Sequence, residues 1–210
     1  MIKNWQYNDI GGRRNFVKEY IKTHNLTSID VGAGMDYWSY PECKNVSDSI
    51  DINIDGVKFF RINLEDKTTW DELISFVDEN GKFDFSICSH TLEDLFNPID
   101  IIKFLERISN SGFIAIPSKY DEFQFLYENP YRGNAHHKQF FDFINDELTI
   151  FPKFPFIERD MRSDKILENM KGRELSFFWE TDIPVYIFGK GTPFKSDGEL
   201  IHNFYEQLIH

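Results

Sequence analysis

Residues 28–34 read Ser-Ile-Asp-Val-Gly-Ala-Gly, a short apolar run that stops on two glycines one small residue apart. A run of this kind predicts a buried strand. The glycines at its end let backbone approach a ligand closely, where a Cβ would intrude. Ligands of open α/β sheets bind beyond the carboxyl ends of the strands, so this loop is the first candidate for a site. The surrounding sequence repeats the pattern. Residues 13–24 predict a helix with Phe16, Val17, Tyr20 and Ile21 on one face. Residues 46–52, 57–62, 83–88 and 112–117 predict further strands. Residues 69–80 predict a helix, with Trp70, Leu73, Ile74 and Val77 on one face, a capping box of Thr69 and Glu72, and Gly81 as its stop. Asn97-Pro98 opens another helix, whose apolar face is Ile101, Ile102, Leu105 and Ile108.

Strands alternating with helices imply βαβ units. The fold class expected is α/β: a Rossmann-like, doubly wound, mostly parallel sheet with an antiparallel C-terminal edge. After Pro117 the pattern changes. Residues 138–144 and 148–151 predict a hairpin, 163–170 a short helix and 184–188 a late strand. The organisation expected is an N-terminal helix or lid over 1–25, a ligand-binding core over 26–118, and C-terminal strands with an insertion over 119–210 of the same domain. Of the 210 residues 22 are Phe, many in this last part, and their simplest use is to fill a core.

A second acid strengthens the reading of the glycine loop. Asp51 ends the next strand 21 residues after Asp30, where a carboxylate accepts hydrogen bonds from the ribose hydroxyls of an adenosine. A dinucleotide fits less well. Tyr37 stands where its fingerprint needs a third glycine, and Asp36 places negative charge near the pyrophosphate position.

In order along residues 26–118, IDVGAG (29–34), SIDIN (49–53), NLED (63–66), FDFSICSHTLEDLFNP (83–98) and GFIAIPS (112–118) resemble the motifs of the class I S-adenosylmethionine-dependent methyltransferases. The resemblance implies S-adenosylmethionine as cofactor and methyl transfer as the activity. It places Asp30, Gly32, Ala33 and Gly34 beside the methionine half of the cofactor. Asp51 and Ile52 fall at the ribose and adenine. Leu64, Glu65 and Asp66 border the adenine, with Asp66 on its amino group. Ser89, His90 and Thr91 lie under the sulfonium. Two positions depart from the family pattern: the third small residue of the first motif is missing, and the usual histidine of the fourth motif is Asp94.

An acceptor that is a hydroxyl or a protonated amine needs a base. The candidates are His90, just after a strand, and His136 and His137 in the polar loop 131–139. Adjacent residues of extended chain face opposite ways, so one of the loop pair is expected to enter the site. His90, Glu93, Asp94 and a loop histidine also form a nitrogen–oxygen donor set. Glu93 is more simply a first-turn acid, and no metal is assigned. Arg132, Lys138 and Lys119 suit either an anionic acceptor or plain solvation.

The net charge of −12 repels phosphate backbones and anionic lipid, which argues against nucleic acid and membrane partners. The N-terminus has no apolar signal-like core, and no run is long enough to span a bilayer, so the expected location is the cytoplasm. The two cysteines have no paired spacing, and Cys88 is expected as a buried free thiol. The expected function is methyl transfer to oxygen or nitrogen of a small molecule, such as a sugar or cell-surface metabolite. The alternatives are a non-catalytic S-adenosylmethionine-binding scaffold and another α/β nucleotide enzyme such as a dehydrogenase. No pattern in the chain sets an oligomeric state.

Overall fold

The computed structural model describes residues 1–33, 43–47, 59–125, 130–192 and 194–209, with backbone alone at 43–47 and Phe59. In chain order the elements are β1 (Ile2–Asn8), α1 (Arg14–Thr23), β2 (Ser28–Val31), β3 (Cys43–Ser47), β4 (Phe59–Arg61), α2 (Asp71–Asn80), β5 (Phe83–Ser89), α3 (Pro98–Ile108), β6 (Ser109–Pro117), α4 (Lys119–Phe123), β7 (Gln139–Ile144), β8 (Glu147–Pro152), α5 (Arg162–Leu167), β9 (Glu174–Glu180), β10 (Val185–Ile187) and α6 (Asp197–Leu208). Seven strands form the central sheet in the order β1-β9-β6-β5-β2-β3-β4. The pairs β2–β3, β3–β4, β2–β5 and β5–β6 are parallel, as expected for a Rossmann-like sheet. The chain order reverses at β2 and β5, which makes the space beyond their carboxyl ends the switch point where such sheets bind ligands.

Both faces of the sheet are covered, and the pleat decides which residue goes where. On β6, Phe113 and Ala115 meet Val17 and Ile21 of α1, while Ile114 and Ile116 join the opposite core with Leu73 of α2 and Leu105 of α3. Cys88 is a buried free thiol, and burial pushes its pKa up. The phenylalanines of the C-terminal half fill a second core. Phe123, Phe140, Phe151, Phe188 and Phe204 pack with Tyr120 and Tyr205 between the β7–β8 hairpin and α4, α5 and α6.

Several expectations are corrected. The helix expected within 1–25 is α1, but the residues ahead of it, 2–8, form strand β1, which pairs antiparallel with β9 at the sheet edge. The antiparallel C-terminal strand expected in the central sheet is β9, beside β6, and the β7–β8 hairpin is not part of that sheet. That hairpin lies in a separate sheet of order β10-β8-β7, turning through Asn145 and Asp146 at positive φ. The capping box at Thr69 does not form. Its hydroxyl bonds Asn63 and Asp66, and α2 begins later, at Asp71.

Where β6 passes β5, the absence of a side chain at Gly112 is required. A Cβ there would stand 2.4 Å from the Ser86 carbonyl oxygen and 2.6 Å from Trp179 Nε1. The first of these is backbone of a central strand and cannot turn away. Gly112→Ala is therefore expected to cost about 1–3 kcal/mol as overpacking. Urea unfolding should show a lower midpoint at unchanged slope.

Candidate functional site

The site begins where β2 stops. Gly32 takes φ +82, and a Cβ on it would lie 2.2 Å from Thr91 Oγ1. The loop leaving β2 and the turn leaving β5 thus touch, and this contact needs glycine for both its dihedral and its lack of bulk. The turn after β5 is itself strained. His90 sits at φ +50, with its N–H continuing the ladder to Ala115 O at 2.8 Å. A histidine held in the left-handed region is the kind of backbone outlier that marks functional turns.

A cavity of about 300 Å³ opens beyond these two loops. Gly32, Asn63, Leu64, Glu65, His90 and Thr91 are among the residues that line it. Four of the residues expected at a cofactor, together with His90, are therefore gathered at one cavity. Asp30 and Ala33 are buried beside it, and the Ser89 carbonyl accepts a hydrogen bond from Thr91 Oγ1 at 3.2 Å. Asp66 has a different use. Its Oδ1 caps the turn at 67–69 by accepting from the Thr68 N–H at 3.0 Å and the hydroxyl at 2.6 Å, and the residue is not among those lining the cavity. Gly34, Asp51 and Ile52 lie outside the described residues.

A second cavity, of about 320 Å³, adjoins the first. Glu93, His136, His137 and Arg173 line it, and His90 and Asp94 belong to both. His136 and His137 lie in a turn rather than a strand. Both rings therefore reach the same cavity with centroids 4.4 Å apart, which corrects the expectation that one faces away.

The three histidines differ in surroundings. His90 has Glu174 Oε2 at 3.1 Å from Nε2 and Glu93 Oε1 at 3.6 Å from Nδ1. Burial opposes its charge, but hydrogen bonds and charge from the two carboxylates outweigh burial and push its pKa up to about 10. Two carboxylates that favour the charged ring work against the role of base expected for His90. His137 is buried, with Nδ1 on Glu122 Oε1. There too burial lowers the pKa, Glu122 raises it more, and the net shift is upward. His136 is largely exposed, its side chain 68% accessible.

The basic residues expected to suit an anionic acceptor are committed elsewhere. Lys119 is buried on Asp142, 2.8 Å away. Arg132 bonds the Phe123 carbonyl and Asp164. Lys138 donates to the Asp94 carbonyl oxygen and lies over the Phe96 ring. Glu122, Arg173 and Glu174 join the site without any sequence signal. Each reaches it from far along the chain, and no local spacing marks it.

No protein-family model and no curated protein matches the chain. Solved structures do resemble it. The methyltransferase domain of bacterial CtHen1-CN is 14% identical over 81% of this chain and 98% of that one, with a TM-score of 0.45. A Thermotoga maritima protein described as a SAM-dependent methyltransferase, possible histamine N-methyltransferase, is 12% identical over 81% and 98%, with a TM-score of 0.41. A cyclopropane-fatty-acyl-phospholipid synthase-like protein from Lactobacillus casei is 12% identical over 84% and 94%, with a TM-score of 0.37. Among the described residues no helix is long and apolar enough to cross a membrane.

Proposed function

We propose that the chain is an S-adenosylmethionine-dependent methyltransferase acting on oxygen or nitrogen of a small, uncharged polar molecule. The observation that carries this reading is the pair of adjoining cavities at the switch point, which share His90 and Asp94. A group-transfer enzyme needs this plan: one compartment for the donor, one for the acceptor, and a common wall through which the reacting atoms meet.

The first cavity suits the donor. Gly32 gives the close backbone approach that a nucleoside with an amino-acid tail needs. Glu65 and Asp94 line the cavity, and Lys138, the one lysine lining it among the described residues, is turned onto a carbonyl oxygen. With the charge of His90 offset by Glu93 and Glu174, that balance favours a sulfonium and disfavours a pyrophosphate. When bound, S-adenosylmethionine supplies a methyl carbon whose bond to sulfur breaks, leaving its electron pair on sulfur, as the acceptor atom bonds to that carbon. The protein's share is alignment and exclusion of water. Asp94, His136 and His137 border the acceptor side, where a hydroxyl or ammonium gives up its proton. The commitment of Lys119, Arg132 and Lys138 to other partners favours an acceptor without anionic groups.

Isothermal titration with S-adenosylhomocysteine and, separately, NAD tests the reading. Binding heat is expected with the first and none with the second. The opposite pattern would make the chain a different nucleotide binder.

A further inference from the structure

We propose that Asp94, His136 and His137 form a binding site for a divalent first-row transition-metal ion on the wall of the second cavity. One carboxylate oxygen and one nitrogen from each ring lie within 4.8 Å of one another. Asp94 Oδ1 and His136 Nε2 are 3.7 Å apart. That is too long for a hydrogen bond. It is a natural spacing for two donors each about 2.0–2.2 Å from a shared ion.

Three further features support the site. First, His137 is oriented as a ligand. Its Nδ1–H donates to Glu122, which is itself held by Lys153 Nζ at 2.8 Å, so Nε2 is the nitrogen left to take an ion in place of a proton. Ligating histidines commonly carry a carboxylate on the other ring nitrogen in this way. Second, Asp94 Oδ1 and Glu93 Oε2 are buried and have no hydrogen-bond partner among the described residues. Glu93 is only 1% exposed and lines the same cavity; His90 approaches its other oxygen. Bare carboxylate oxygens in a buried place are costly, and a cation relieves that cost. Third, the neighbouring cations are spent. Lys138 is on a carbonyl oxygen, Arg173 on Asp121 and Lys153 on Glu122.

Two imidazoles and a carboxylate select zinc, cobalt, manganese or iron over magnesium and calcium, which prefer all-oxygen shells. Exposed His136 gives the ion a way in from solvent. On the reading proposed above, and resting on it, the ion's open positions would hold the acceptor oxygen against the donor cavity.

Chelator-stripped full-length protein titrated with Co²⁺, and followed by its ligand-field absorption, tests the site. The expected result is one saturable site per chain from which Zn²⁺ displaces the cobalt. His136→Ala and Asp94→Asn should each weaken Co²⁺ binding by about tenfold or more. Both side chains are partly exposed, and thermal melts check that each variant stays folded. Absence of the absorption bands, or full affinity in both folded variants, would overturn the proposal. S-adenosylhomocysteine titrated into the metal-free protein separates the two claims. Its binding without a cobalt site removes the metal alone; a cobalt site without its binding removes the methyl-transfer reading alone.

Discussion

Gly32→Ala is expected to weaken S-adenosylhomocysteine binding by at least about tenfold, or about 1.4 kcal/mol, and to destabilise the fold by about 2–5 kcal/mol. Two separate penalties add. At φ +82 any L-residue pays for the left-handed conformation, roughly 1–2 kcal/mol. The new methyl would also stand 2.2 Å from Thr91 Oγ1 and 2.5 Å from Thr91 Cγ2, an overpacking term of about 1–3 kcal/mol. A double-mutant cycle with Thr91→Ala tells them apart. The double variant should regain much of the packing term, because the two nearest contact atoms are gone, but Thr91 Cβ, 2.9 Å away, stays, and so does the dihedral term. Urea unfolding of the four proteins gives the stabilities, and calorimetry the affinities. Unchanged affinity in Gly32→Ala would mean that the loop at the end of β2 does not meet the cofactor, and the donor cavity would have to be sought elsewhere.

What is legible in the sequence follows from how each element is stabilised. β2, β5 and β6 are buried on both faces and read as near-continuous apolar runs, so SIDV, FDFSIC and GFIAIP declare themselves strands by residue pattern alone. β1 does not. Its seven residues, IKNWQYN, are mostly exposed, and it is a strand because β9 offers it an open edge. β9 and α6 do carry local signals, although weaker ones. Leu175, Phe177 and Trp179 alternate onto one core while Phe178 points to the other. Ser196 and Glu199 make the cap of α6, ahead of Phe204, Tyr205 and Leu208.

The site divides in the same way. Gly32, Leu64, Glu65, His90 and Thr91 sit in local motifs beside strand ends, and the cavity gathers all five. Motif order assigns the acid at 66 to a ligand. A carboxylate two residues before Thr68 is equally a turn cap, and in the structure that local bond is made. Glu122, Arg173 and Glu174 are illegible for a different reason. Their partners are His137, Asp121 and His90, and all three pairings depend on packing between segments separated in sequence. His136 and His137 are legible as a pair, but their shared direction is not, because it depends on a turn that alternation rules do not describe.

Glu122→Ala is expected to be the most destabilising single change near the site, at about 3–5 kcal/mol, the usual loss when one partner of a buried ion pair is removed. The carboxylate is 1% exposed and serves two groups. Oε1 accepts from His137 Nδ1, and Oε2 lies 2.8 Å from Lys153 Nζ, which also donates to the Asn134 carbonyl at 2.7 Å. Space around it is fully used. A Cβ on Gly133 would come within 2.5 Å of Oε2, so truncation leaves a void that the neighbouring backbone is too constrained to fill. Glu122→Gln keeps the volume and one acceptor but turns an amide N–H₂ or a weaker oxygen toward the lysine. Its loss should be smaller, about 1–3 kcal/mol. Combining Glu122→Ala with Lys153→Met removes both ends of the pair, and that double variant should be more stable than Glu122→Ala alone, since no buried ammonium is left without a counter-charge. Chemical denaturation of the four proteins in metal-free buffer measures the order. A Glu122→Ala loss below about 1 kcal/mol would show that solvent already reaches the pair, as it does for surface ion pairs. The turn at 134–137 would then owe its shape to its own backbone bond, His137 N–H to Asn134 O, and not to the buried acid behind it.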